Sequence, residues 1–136
     1  MDLCILHIDD KEFGIPMESV REVLIRPRVS PLPLSPQFLE GVTSFRGGTL
    51  PVFEVASFLT DTDPSSNSNR DRVVVCQDPS ALVGLRVDLV DRMEYSSPVP
   101  EKETSITSGL NETDAKFLRL DQLLKHMTQH MKPSLT

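Results

Sequence analysis

With 136 residues the chain has room for one domain or two very small ones, and folding buries about two-thirds of its unfolded surface. A formal net charge of −6 argues against nucleic acid as the main partner, because phosphate binding draws most of its energy from clustered Lys and Arg. Aromatic residues make up only 5% and tryptophan is absent, so the core has to come from valine, leucine and isoleucine, which tilts the fold toward β.

The first ten residues carry acids where a secretory signal needs positive charge, and their apolar run is too short to span a bilayer. A cytoplasmic chain without direct membrane insertion is expected. Residues 3–8 read as a strand, Asp9, Asp10 and Lys11 as a turn, and residues 12–15 as a second strand. Residues 19–26 fit either period, and extended structure is the expectation. Pro27, Pro31, Pro33 and Pro36 then rule out a helix and predict a stiff connector.

Residues 41–55, GVTSFRGGTLPVFEV, hold two β-prone runs around Gly47 and Gly48. Two-residue hairpin loops of the primed types need positive φ, which glycine supplies. A Gly47–Gly48 loop pairs Arg46 with Thr49, Phe45 with Leu50, Ser44 with Pro51 and Thr43 with Val52. Phe45 and Leu50 then face the core, Ser44, Arg46 and Thr49 share the other side, and Pro51 calls for an edge or a bulge. Arg46 stands at the tip, suited to bidentate recognition of carboxylate or carbonyl oxygen on a partner.

Residues 60–71 are polar and proline-punctuated, which predicts a linker. Beyond it, residues 72–77 and 82–90 flank Asp78, Pro79 and Ser80, and Val83, Leu85, Val87 and Leu89 alternate with polar or small residues, so a hairpin is expected. In the tail, Phe117, Leu120, Leu124, Met127 and Met131 fall at helical spacing, yet residues 117–120 also suit a strand that ends at an Asp121 helix cap. Periodicity leaves the two open.

Chemistry-bearing groups are scattered. Cys4 and Cys76 lie in separate strand-like runs and read as buried thiols. His126 and His130 are four apart without a third ligand, and His7 reads as a strand residue. Asp61 and Asp63 begin like a calcium loop that nothing completes, and Asn111 heads a glycosylation triplet relevant only to a secreted chain. There is no nucleophile elbow, phosphate loop or dinucleotide fingerprint, so no catalytic residue, cofactor or metal is expected. Arg21, Arg26, Arg28 and Arg46 outnumber Glu22 and Glu40 locally, which keeps a small β-barrel binding an anion or oligonucleotide as the alternative reading.

The ordered run EFGIPMESVREVL, SPLPLSPQFLEGVTSFRGGTLPVFEV, RVVVCQ, VGLRVDLVDRM and KFLRLDQLL resembles the CheW-like chemotaxis coupling domain over residues 2–124. The most specific match is Phe38, Gly41, Val42, Arg46, Gly47, Leu50, Pro51 and Val52. Ser44 and Phe45 stand where the family has Asn-Leu, and Glu54 where it has aspartate. The resemblance implies a mostly β fold of two interlocked SH3-like barrels with a short C-terminal helix: a first barrel mainly over 9–59, a linker over 60–71, and a second barrel over 72–136 plus strand 2–8. It implies a final strand over 116–120 and a helix from about Asp121. It further implies a non-catalytic adaptor that couples a methyl-accepting chemoreceptor tip, through Ser44, Phe45, Arg46, Gly47 and Thr49, to the regulatory domain of a CheA-type histidine kinase, through Ile15, Met17 and Val20, three residues that suit ordinary core equally well.

Overall fold

The computed structural model describes residues 1–60, 70–77, 81–95, 106–109 and 116–131. The Asp61/Asp63 pair, the turn at Asp78 to Ser80, the Asn111 triplet and most of the polar linker lie outside these residues. The elements are β1 (Asp2–Ile8), β2 (Lys11–Pro16), a 3-10 turn (Met17–Ser19), β3 (Val20–Ile25), β4 (Leu39–Phe45), β5 (Gly48–Glu54), α1 (Ala56–Leu59), β6 (Arg72–Gln77), β7 (Leu82–Val87), β8 (Leu89–Tyr95), β9 (Thr107–Gly109), β10 (Lys116–Leu118) and α2 (Leu120–Met131). They form two five-stranded sheets, ordered β8-β1-β2-β10-β9 and β3-β6-β7-β5-β4.

Sheet membership departs from the expected division of the chain. β2, expected in the first barrel, lies between β1 and β10, because Asp9 adopts φ 55° and closes a two-residue turn that sets Ile8 opposite Lys11. β6 and β7, expected in the second barrel, complete the sheet of β3 to β5: β6 pairs antiparallel with β3, and β7 runs parallel to β5. One sheet thus draws on residues 2–16 and 89–118, the other on 20–54 and 72–87. The chain passes between them at Asp88, so the alternation of Val83, Leu85 and Val87 stops before Leu89, which is exposed.

The tail resolves as a short strand followed by a helix. β10 lies parallel to β2, and α2 starts at Leu120, placing Asp121 in its first turn, where a carboxylate complements the helix dipole. A single core cluster unites the sheets: Leu6, Ile8, Phe13 and Ile15 from one meet Val74, Cys76, Leu85 and Val87 from the other, with Leu123 and Met127 of α2 closing one end. Cys4 and Cys76 are both buried and unbridged, and burial pushes the Cys76 thiol up to about 12, which leaves it inert.

At the junction of the sheets lies Arg70, at the end of the expected linker but with only 1% of its side chain exposed. Its Nε donates to Asp88 (2.7 Å), one terminal nitrogen to Glu54 (3.1 Å) and the other to Asp9. Asp9 belongs to the β1–β2 turn, Asp88 to the crossing between sheets, and Glu54 to the end of β5. Burial disfavours the charge on Arg70, yet Glu54, Asp88 and Asp9 together hold it firmly protonated. Glu54 also accepts the Ala56 N–H at 3.0 Å, which ties the start of α1 to the same cluster.

Truncating Arg70 leaves three carboxylates around a vacated cation, so Arg70→Ala is expected to lower unfolding free energy by about 3–5 kcal/mol. Urea denaturation checks this. A loss below about 1 kcal/mol, the scale of an exposed pair, would make the cluster peripheral to stability.

Candidate functional site

The hairpin around Arg46 forms, with its loop one residue earlier than expected. Phe45 pairs with Gly48, Ser44 with Thr49, Thr43 with Leu50 and Val42 with Pro51. The two-residue loop is Arg46–Gly47, at φ 48° and 78°, the double positive φ of a type I′ turn, and Gly48 belongs to the strand. The pairing therefore slips by two positions, which preserves the faces, since strand side chains alternate with period two. Phe45 and Leu50 are buried in one cluster, while Ser44 and Thr49 stand exposed opposite each other. Pro51 is in a central strand but precedes the β5–β7 ladder, which covers only Val52 to Glu54.

Of the residues assigned to receptor contact, Ser44, Arg46, Gly47 and Thr49 are accessible, whereas Phe45 is 9% exposed and serves as a base. The Arg46 guanidinium rests 5.1 Å from the Phe45 ring centroid, with a terminal nitrogen 3.7 Å from Glu22 and two-thirds of its side chain in solvent. Such a loose, exposed ion pair holds the side chain weakly. The hairpin beneath it is fixed by Gly41, where an added Cβ would fall 2.1 Å from the Ser30 carbonyl oxygen.

The residues assigned to kinase contact divide. Ile15 has no exposed surface and belongs to the core, Val20 is half-buried against that core, and Met17 is exposed on the 3-10 turn. Beside Met17 a groove of about 620 Å³ runs along the junction of the sheets, lined by Pro16, Arg21, Gln77, Phe117, Arg119 and Asp121. Arg21 crosses its rim, donating from Nε to Gln77 (2.7 Å) and from a terminal nitrogen to the Glu18 carbonyl (2.9 Å). Sequence reading missed this groove, because its walls come from three distant stretches.

Metal-ligating types converge once among the described residues. His7 Nε2 lies 2.8 Å from Asp91 and 3.3 Å from Glu12. A bulge in the β1–β8 pairing, opposite Ile5, turns the consecutive Asp91 and Arg92 toward this face. Arg92 lies 2.9 Å from Glu12, 2.6 Å from Asp91 and 2.8 Å from Glu94, so a guanidinium already fills the cationic role. Its hydrogen bonds hold Glu12 below the ordinary carboxylate range, and those of His7 and then Arg92 do the same for Asp91. His126, for its part, packs edge-on against Phe58 at 5.0 Å, and the His130 side chain lies outside the described residues.

The CheW-like domain profile matches residues 2–120. The chain is 30% identical over 131 residues to the probable chemotaxis protein CheW of Rhizobium etli, covering 90% of this chain and 84% of that one. It is 36% identical over 84 residues to protein FrzA of Myxococcus xanthus, covering 62% of this chain and 52% of that one. Over 83 residues it is 36% identical to protein PilI of Pseudomonas aeruginosa, at 61% and 46% coverage. The fold matches the crystal structure of the scaffolding protein TtCheW from Thermoanaerobacter tengcongensis, with TM-score 0.72 and 22% identity across 90% of both chains.

Two outcomes follow from this geometry. Gly47→Ala meets no atom within 4 Å and suffers only the left-handed backbone penalty, about 1–2 kcal/mol, whereas Gly41→Ala drives a methyl into Ser30 and should lower the melting temperature far more. Equal losses would contradict the observed turn. Because Glu12 and Asp91 titrate below their unfolded values, their contribution to stability is present above about pH 4 and lost as pH falls through the lowered folded values. Arg92→Gln should flatten that acid limb, as read from melting temperature against pH.

Proposed function

This chain belongs to the CheW-like domain family of chemotaxis scaffold and coupling proteins, and from that premise we propose that it is a non-catalytic adaptor joining a chemoreceptor signalling tip to the regulatory domain of a CheA-type histidine kinase. The observation that carries the receptor side of this reading is Arg46: a long cation displayed from a left-handed turn position, loosely held, above the exposed hydroxyls of Ser44 and Thr49. A guanidinium placed so can form a charge-assisted pair with carboxylate or carbonyl oxygen on a receptor helix.

The kinase side rests on Met17 and the exposed edge of Val20. Met17 lies on the 3-10 turn and Val20 opens β3, beside the groove rimmed by Arg21 and Gln77 and on different elements from the Arg46 hairpin. An adaptor needs two surfaces that can be occupied together, and a rigid shared core holds them in fixed relation. The oligonucleotide alternative is weakened by the engagement of Arg26, Arg70, Arg72, Arg86 and Arg92 with carboxylates of this same chain.

Arg46→Glu should change stability by less than about 0.5 kcal/mol, being an exposed turn substitution. It should reduce affinity for a receptor-tip fragment at least tenfold and leave affinity for the kinase regulatory domain unchanged. Met17→Glu should do the reverse. Calorimetric titration of each variant with each partner checks this. Loss of both affinities in Arg46→Glu, or of neither, would contradict the assignment.

A further inference from the structure

The sheet β3-β6-β7-β5-β4 ends in two edge strands, and these edges approach each other. Arg46, in the turn leading out of β4, reaches Glu22 of β3 at 3.7 Å. Between the edges lies a groove of about 500 Å³, lined from β3 by Leu24 and Ile25, from the connector by Pro27 and Arg28, and from β4 by Thr43 and Ser44. No acidic side chain lines it, although the whole chain carries a net charge of −6.

Three features define what fits. Backbone groups come first. Ser30 pairs with Val42 through both the N–H (2.9 Å) and the C=O (2.8 Å) of Val42, so these groups point to the outer edge of β4. Two residues on, Ser44 directs its own N–H and C=O to the same edge, past the point where Ser30 covers it. Pro27, on the opposite wall, has no N–H to offer. Charge comes second: Arg28 is exposed and, among the described residues, makes no ion pair, unlike Arg26, Arg70, Arg72, Arg86 and Arg92. Third, Ile25 is 65% exposed beside it, an aliphatic surface next to an unengaged guanidinium.

We propose that this groove binds an extended acidic peptide segment of a partner protein, which adds to the Ser44 edge of β4 as a strand, sets a carboxylate on Arg28 and lays an aliphatic side chain on Ile25 and Pro27. Edge strands are templates for such addition, with main-chain hydrogen bonds supplying affinity and alternate side chains supplying specificity. The acidic choice follows from the charge of the walls, and the extended form from the open backbone groups of Ser44. This site adjoins the proposed receptor surface, sharing Ser44 and Thr49 with it, and its test involves neither partner, so its failure would leave the adaptor reading standing.

The experiment uses the full chain, isotope-labelled for backbone amide NMR, and the capped peptide Val-Glu-Ile-Glu-Val, with Val-Lys-Ile-Lys-Val as the charge-reversed control. At millimolar concentration the glutamate peptide should shift the amides of Ser44, Ile25 and Arg28, and the lysine peptide should not. Arg28→Glu, whose melting temperature should match the parent, should weaken the glutamate peptide at least tenfold and bring in the lysine peptide at the same amides. Ile25→Ser should weaken both pairings. Absence of shifts along this groove, equal response to the two peptides, or tighter binding of inorganic phosphate or an oligothymidine at the same amides would overturn the proposal.

Discussion

One guanidinium governs how the two halves of this molecule meet. Arg70 reaches Asp9 in the first turn, Glu54 at the end of β5 and Asp88 where the chain crosses from one sheet to the other. Each carboxylate alone would be an awkward group in a half-buried place, and burial does push Glu54 above the ordinary carboxylate range. Brought around one cation, they convert three separate stretches into a single joint. Thr60 adds a hydroxyl bond to Asp9 at 3.0 Å, and the Asp9 N–H donates to Asp88 at 2.7 Å, so backbone and side chains are locked together.

From that joint the working surfaces take their rigidity. The main core is shared by both sheets and by α2, while each sheet adds a small cluster of its own, Leu3, Ile5 and Phe117 in one and Phe45, Leu50 and Val75 in the other. The hairpin carrying Arg46 is anchored by the Gly41 contact with Ser30 at one end and by Phe45 and Leu50 at the other. Met17, on the 3-10 turn, sits between strands that belong to different sheets. For the proposed adaptor, what matters is the fixed placement of one surface relative to another.

Much of this was readable from local pattern. The β1–β2 hairpin followed from two apolar runs around Asp9 and Asp10, and the β6–β7 hairpin from strict alternation ahead of Val87. The turn at Arg46 was misplaced by one residue because glycine is the default supplier of positive φ, whereas here an arginine takes the first left-handed position and Gly47 the second. The faces survived because the resulting slip was by two. Arg70 was not readable: its partners lie 16, 18 and 61 residues away, and only the folded chain brings them together. Local pattern leaves Ile15 open between the kinase contact that the resemblance implies and ordinary core, and the fold makes it core. Phe13, Gly14 and Ile15 are all buried, and a strand covered on both faces gives no alternation from which to pick an outer side.

Coupling requires that both partners bind at once. Sedimentation velocity on a mixture of this chain, a receptor-tip fragment and the regulatory domain of a CheA-type kinase tests that requirement directly. A single faster boundary containing all three components, absent when this chain is omitted, is the outcome expected of an adaptor. Two binary complexes that exclude each other, or no boundary faster than the free proteins, would contradict it.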